Sequence, residues 1–161
     1  MRKRFVVGVV TVSILVSACA STSALRSRND EKRRVQDEAN EFYSAWRDHN
    51  GQKIWQLSSP FFKKENQEKE YVKNLEQFLT LVTDLDYSNF SVVYMSKKLA
   101  VTQADISLRL QEGNREENVN VCERIIWLRF PEGWRFQEPS LLCTYMPDKQ
   151  RIEFLTKNLP K

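Results

Sequence analysis

Trp127-Leu128-Arg129-Phe130-Pro131-Glu132-Gly133-Trp134-Arg135 decides the fold, because it sets two aromatic-rich runs on either side of a short glycine-bearing connection. Residues 119–130 and 134–143 are rich in the β-branched and aromatic side chains that strands favour. A loop of Pro131, Glu132 and Gly133 predicts that the two runs form an antiparallel hairpin. In that register Phe130 pairs with Trp134, Leu128 with Phe136, and Cys122 with Leu142. Cys143 then faces away from Cys122, unless a bulge near Pro139, which cannot donate a ladder hydrogen bond, shifts the parity by one.

Towards the N-terminus the same period of two continues. Ala104, Ile106, Leu108 and Leu110 alternate with Gln103, Asp105, Ser107 and Arg109 within residues 100–110, which predicts a strand with one buried and one wet face. Gly113-Asn114 supplies a turn after it, and Phe90, Val92 and Tyr94 predict an earlier strand, with Asp84 and Asp86 read as loop residues before it.

Before Asp84 the period is that of a helix. Val35, Ala39, Phe42, Tyr43 and Trp46 recur at one helical face, with Asp37, Glu41 and Asp48 opposite. Asn29 or Asp30 is the expected N-cap and Asn50-Gly51 the expected left-handed exit. A short second helix is predicted over residues 52–57, broken by Ser58-Ser59-Pro60. A third, over 68–82, carries Tyr71, Leu75, Phe78, Leu79 and Val82 on one face. The mixed-charge run of residues 63–70 reads as a solvated helix entry, or alternatively as a surface for a partner.

Helices followed by an antiparallel meander predict an α+β domain in which the helices pack on one face of the sheet. The opening helix around Phe42-Tyr43-Ser44-Ala45-Trp46, the Ile54-Trp55-Gln56-Leu57 helix ending in Ser58-Ser59-Pro60-Phe61, and the late hairpin together resemble the nuclear-transport-factor-2-like, cystatin-like superfamily. That resemblance covers about residues 31–142. It implies a cone whose curved sheet wraps a long helix, with a cavity near Tyr43, Trp46, Tyr71, Phe78 and Trp127; the alternative is a cone filled completely by these aromatics. It also implies homodimerisation through the sheet as one assembly the domain can form.

Residues 1–18 read as a signal peptide: Arg2-Lys3-Arg4, an apolar run from Phe5 to Val16 too short to span a bilayer, and small Ser17-Ala18 before Cys19. Val16-Ser17-Ala18-Cys19 resembles the lipobox of bacterial lipoprotein precursors, which implies cleavage after Ala18 and acylation of Cys19. Residues 19–29 are then the lipidated cysteine and a flexible tether, and residues 30–161 a single domain. Ala20 is not the aspartate associated with inner-membrane retention, so the resemblance implies the periplasmic face of the outer membrane in a two-membrane bacterium.

The charge supports this division. The full chain has 25 basic and 21 acidic residues, but three of the basic ones lie in the signal and no acid does, leaving 22 against 21. With the basic excess confined to targeting, and no basic stripe interleaved with aromatics, nucleic acid is not an expected partner. Cys122 and Cys143 remain once Cys19 is acylated, and in an exported protein they are either a disulfide or two buried thiols.

No metal-ligand cluster, phosphate cradle or nucleophile triad occurs, so no catalytic residue, metal or cofactor is predicted. The single histidine, His49, falls at a helix exit. The expected function is therefore a membrane-tethered, non-catalytic module of the cell envelope that binds an envelope protein or a small apolar ligand. Two alternatives stand beside it. Enzymes of the resembled superfamily use a pocket acid or base beside a tyrosine, so one is a small isomerase or dehydratase acting on an apolar carbonyl compound. The other is a structural subunit of an envelope or secretion assembly, which requires an exposed apolar patch on the outer sheet face.

Overall fold

The computed structural model describes the backbone of residues 6–143, 149–157 and 159, and the side chains of 27–137, 143, 149–157 and 159. Two compact units divide the chain, 1–33 and 34–161. In the first, the backbone is helical from Val6 onward. Residues 20–28, expected as an irregular tether, are thus helical, and Asn29 and Asp30 are interior helical residues instead of caps. No glycine or proline stands between Val9 and Asn50 to interrupt the helix. Arg2, Lys3, Arg4 and the side chain of Cys19 lie outside the described residues.

The second unit takes the C-terminal part of α1 (Val6–Arg47), then α2 (Gly51–Leu57), α3 (Pro60–Glu65), α4 (Glu68–Leu79), β1 (Val82–Met95), β2 (Leu99–Glu112), β3 (Arg115–Phe130), β4 (Gly133–Leu142) and α5 (Lys149–Lys157). The strands form one antiparallel meander in the order β1-β2-β3-β4. This is the expected α+β architecture.

Several boundaries differ from expectation for local reasons. The exit from α1 is made by His49, at φ 53°, while Asn50 caps α2 by accepting from the Lys53 amide at 2.8 Å. Gly51 serves packing instead: a Cβ there would stand 2.9 Å from the Glu76 side chain of α4. Helix α4 stops at Leu79, because Val82 is already paired with Leu110 in the sheet. Asp84 and Asp86 are accordingly strand residues opposite Arg109 and Ser107, not loop residues. Strand β3 starts at Arg115, four residues earlier than its apolar run. Within residues 63–70, α3 ends at Glu65 and α4 begins at Glu68.

The hairpin between β3 and β4 is tighter than expected. Phe130 pairs with Gly133 across a two-residue loop, so Arg129 meets Trp134, Leu128 meets Arg135 and Trp127 meets Phe136. Gly133 has φ 138°, and a Cβ on it would approach Glu38 Oε1 to 2.9 Å, so a side chain fits poorly there. Two register shifts follow, one either side of Ile126, after which Glu123 pairs with Leu142. A shorter loop plus two shifts reaches the same final register as the expected longer loop plus one bulge. Cys122 and Cys143 are bridged, with Cα atoms 5.3 Å apart and the Cys143 amide donating to the Cys122 carbonyl at 3.2 Å.

Alternation along the strands makes two apolar layers. On the inner face Val35, Ala39 and Phe42 of α1, Ile54 and Leu57 of α2, and Leu79 of α4 pack against Ala100, Ala104, Ile125, Trp127, Trp134 and Phe136. On the outer face Leu99, Val101, Ile126, Leu128 and Phe130 are covered by Leu155 and Leu159. Helix α5, which the sequence reading did not anticipate, is the lid of that second layer. Each such side chain contributes roughly 1.5–3 kcal/mol on burial.

Candidate functional site

One end of the inner layer is filled and the other is hollow. At the filled end Trp127 is fully buried, its indole N–H donates to Thr102 Oγ1 at 2.9 Å, and its ring meets Phe42 and Phe136 edge to face. Ser59 ties α3 to β4 there: its amide donates to the Phe136 carbonyl at 2.8 Å, and its hydroxyl donates to Gln137 Oε1.

The hollow end is a half-open cleft of about 250 Å³. Phe42, Tyr43 and Trp46 of α1 form one wall and Phe78 of α4 a second. Leu85 of β1, Ile106 and Leu108 of β2, and Val121, Cys122 and Glu123 of β3 form the floor. Of the five residues expected around a cavity, Tyr43, Trp46 and Phe78 line this cleft. Tyr71 does not; it packs against Trp55 and Phe62 with ring centroids 5.5 and 5.1 Å away. Burial there pushes its phenol up to about 12. Trp127 does not line the cleft either, because it fills the other end.

Glu123 is the ionisable group that the sequence reading missed. Its position was readable: Val121, Glu123, Ile125 and Trp127 share one parity on β3, so a carboxylate interrupts an inward apolar series. Tyr43 donates its hydroxyl proton to Glu123 Oε2 at 2.8 Å. Burial, and then the neighbouring Glu123 charge, push the Tyr43 phenol far above its ordinary value, so it remains a proton donor. Tyr87 stacks on Tyr43 at 4.6 Å and donates to Asn40 Oδ1 at 3.1 Å, fixing the ring.

The other acids considered from sequence face solvent. Asp105 accepts from Asn89 Nδ2 at 2.7 Å, Asp86 accepts from the Tyr87 amide at 2.9 Å, and Asp84 is exposed opposite Arg109. His49 is exposed as well. The Cys122–Cys143 disulfide lies at the cleft floor beside Glu123. Among the described residues no group of His, Cys, Asp and Glu is arranged to hold a metal ion, and no helix is long and apolar enough to cross a membrane.

This layout, helices closing one face of a four-strand meander, matches solved structures. A candidate dehydratase of the NTF2-like family from Streptomyces avermitilis superposes with a TM-score of 0.54 at 11% identity, over 69% of this chain and 94% of that one. The chain has the nuclear-transport-factor-2-like fold. A candidate scytalone dehydratase from Novosphingobium aromaticivorans gives a TM-score of 0.53 at 12% identity, over 76% of this chain and 92% of the other. A candidate aromatic ring hydroxylase from the same organism gives 0.55 at 11% identity, over 68% and 86%. No protein-family model and no curated protein matches the sequence. Within this fold the cleft occupies the space between the long helix and the concave sheet, and Glu123 with Tyr43 forms its polar end.

Proposed function

We propose that the chain is a non-catalytic binding module of the bacterial envelope, anchored by acyl chains on Cys19, whose cleft takes a small apolar molecule with a polar end directed at Glu123. The observation that carries this reading is the composition of the cleft: aromatic and aliphatic walls with one carboxylate, which accepts a hydrogen bond from Tyr43. Ligand sites have this form, apolar walls with a few placed polar groups that set orientation. The lipobox sequence supports the location, at the periplasmic face of the outer membrane where the bacterium has two membranes. Covering of Leu99, Val101, Ile126 and Leu128 by α5 weighs against a structural subunit that docks through the outer sheet face.

A small isomerase or dehydratase is the second reading. Glu123 within hydrogen-bond distance of Tyr43 favours it, and two of the structural neighbours are described as candidate dehydratases. It ranks second on proton placement. The phenol hydrogen is directed at the carboxylate and so is not aimed at a developing oxyanion in the cleft.

Fluorescence titration of the chain with N-phenyl-1-naphthylamine, a neutral apolar probe, tests the binding role. Saturable one-site binding that survives Glu123→Gln is expected; absence of saturable binding overturns it. Turnover of an enolisable apolar ketone that disappears with Glu123→Gln would establish the enzyme instead. For the anchor, Cys19→Ser should abolish acyl labelling and release the chain from the membrane fraction, and retention of label would refute it.

A further inference from the structure

We propose that the flank of α5 carrying Phe154 docks on an anionic phospholipid surface. Phe154 is 60% exposed, the most exposed large apolar side chain among the described residues. Its neighbours are cations. Arg151, Phe154 and Lys157 follow one another at a spacing of three along α5 and so form one row. The Arg151 guanidinium carbon lies 5.7 Å from the Phe154 ring centroid, which keeps charge and ring together at the surface.

Beside this row runs a groove of about 480 Å³ between α5 and α3, with Phe61 and Leu155 in it and Lys64 on its α3 side. Among the described residues lining that groove, Glu65 is the acid, against Lys64 and Arg151. Glu153 stands 3.8 Å from Lys149, with both side chains largely exposed. Leu155 is buried in the outer-face layer and Ile152 packs against it, so the helix presents the row from a fixed position.

An exposed aromatic ring flanked by cations on an amphipathic helix is what an interfacial contact needs: the ring enters the headgroup boundary while the cations meet phosphates. The complementarity is with an acidic headgroup layer. The proposal does not depend on acylation of Cys19, because the variants compared share the same N-terminal segment.

Partition of the full chain is measured by co-sedimentation with vesicles of phosphatidylcholine alone and of phosphatidylcholine mixed two to one with phosphatidylglycerol. The expected result is tighter binding to the anionic vesicles, weakened by salt. The double variant R151E/K157E should lose about 25-fold or more of the anionic partition, at about fivefold for each of the two cations removed, with neutral partition unchanged. F154S should lower anionic partition about fivefold. All variants alter exposed or half-exposed positions, and far-UV circular dichroism verifies that they fold. Anionic preference retained in R151E/K157E, or no preference in the parent chain, overturns the proposal. So does an F154S effect confined to self-association in sedimentation, which would assign the face to a second copy of the chain.

Discussion

The two ends of the inner layer are built from the same kinds of residue and have opposite properties. Around Trp127, Phe42, Ile54 and Phe136 the rings interlock, the one polar atom of Trp127 is satisfied by Thr102, and no exposure remains. Around Tyr43, Trp46 and Phe78 the rings line an open volume of about 250 Å³, although Trp46 meets Phe78 edge to face with centroids 6.1 Å apart, and Phe78 is 38% exposed. Aromatic content alone therefore does not distinguish core from site. What distinguishes them is whether the opposing strand positions carry bulk: Trp127 and Ile125 fill one end of β3, whereas Val121 and Glu123 leave the other open.

The contrast is most sharply tested by truncating one ring at each end. Trp127→Ala should cost ~3–5 kcal/mol in urea unfolding, whereas Phe78→Ala, at a half-exposed position, should cost about 1 kcal/mol. Equal losses would remove the distinction. Reduction of the Cys122–Cys143 bridge, which spans a sequence separation of 21, should cost ~3 kcal/mol by the chain-entropy estimate. Because it fastens β4 to β3 beside Glu123, probe binding should fall on reduction while the near-ultraviolet signal of Trp127 stays.

Alkaline pH probes the polar end. The folded pKa of Tyr43 is raised above its unfolded value near 10, so its contribution to stability is complete below pH 10 and declines as pH rises beyond it. Tyr71, raised to about 12, adds to the same decline between 10 and 12. Tyr43→Phe should therefore flatten the alkaline limb of the stability curve and, near neutrality, lose ~1.5–3 kcal/mol with the hydrogen bond to the Glu123 carboxylate. An unchanged alkaline limb would show that the phenol is not buried against Glu123.

Much of the architecture was legible because periodicity and burial coincide. The helical face Val35, Ala39, Phe42, Tyr43 and the alternation Ala104, Ile106 both sit in the inner layer as their spacing requires. The hairpin register was not, since loop length and bulges trade against one another: Pro131-Glu132 closes the turn, and shifts flanking Ile126 restore the pairing near Cys122. Helix α5 escaped notice because it has few apolar positions, Ile152 and Leu155 among them, and its folding depends on an outer sheet face that periodicity shows as alternation alone. Within the site, the tyrosine and tryptophan of α1 were legible as one face of a helix. Proximity to aromatics in sequence favours Asp84, Asp86 and Asp105, whereas parity along β3 makes Glu123 the carboxylate that faces inward.

The central claim, that the open end of the cone is a binding cleft and not an incomplete core, is tested most directly by filling it. Val121→Trp places a ring against the cleft floor, and at a site with free volume it should cost less than about 1.5 kcal/mol while abolishing saturable binding of N-phenyl-1-naphthylamine. Binding equal to that of the parent chain, in a variant that folds as stably, would contradict the account.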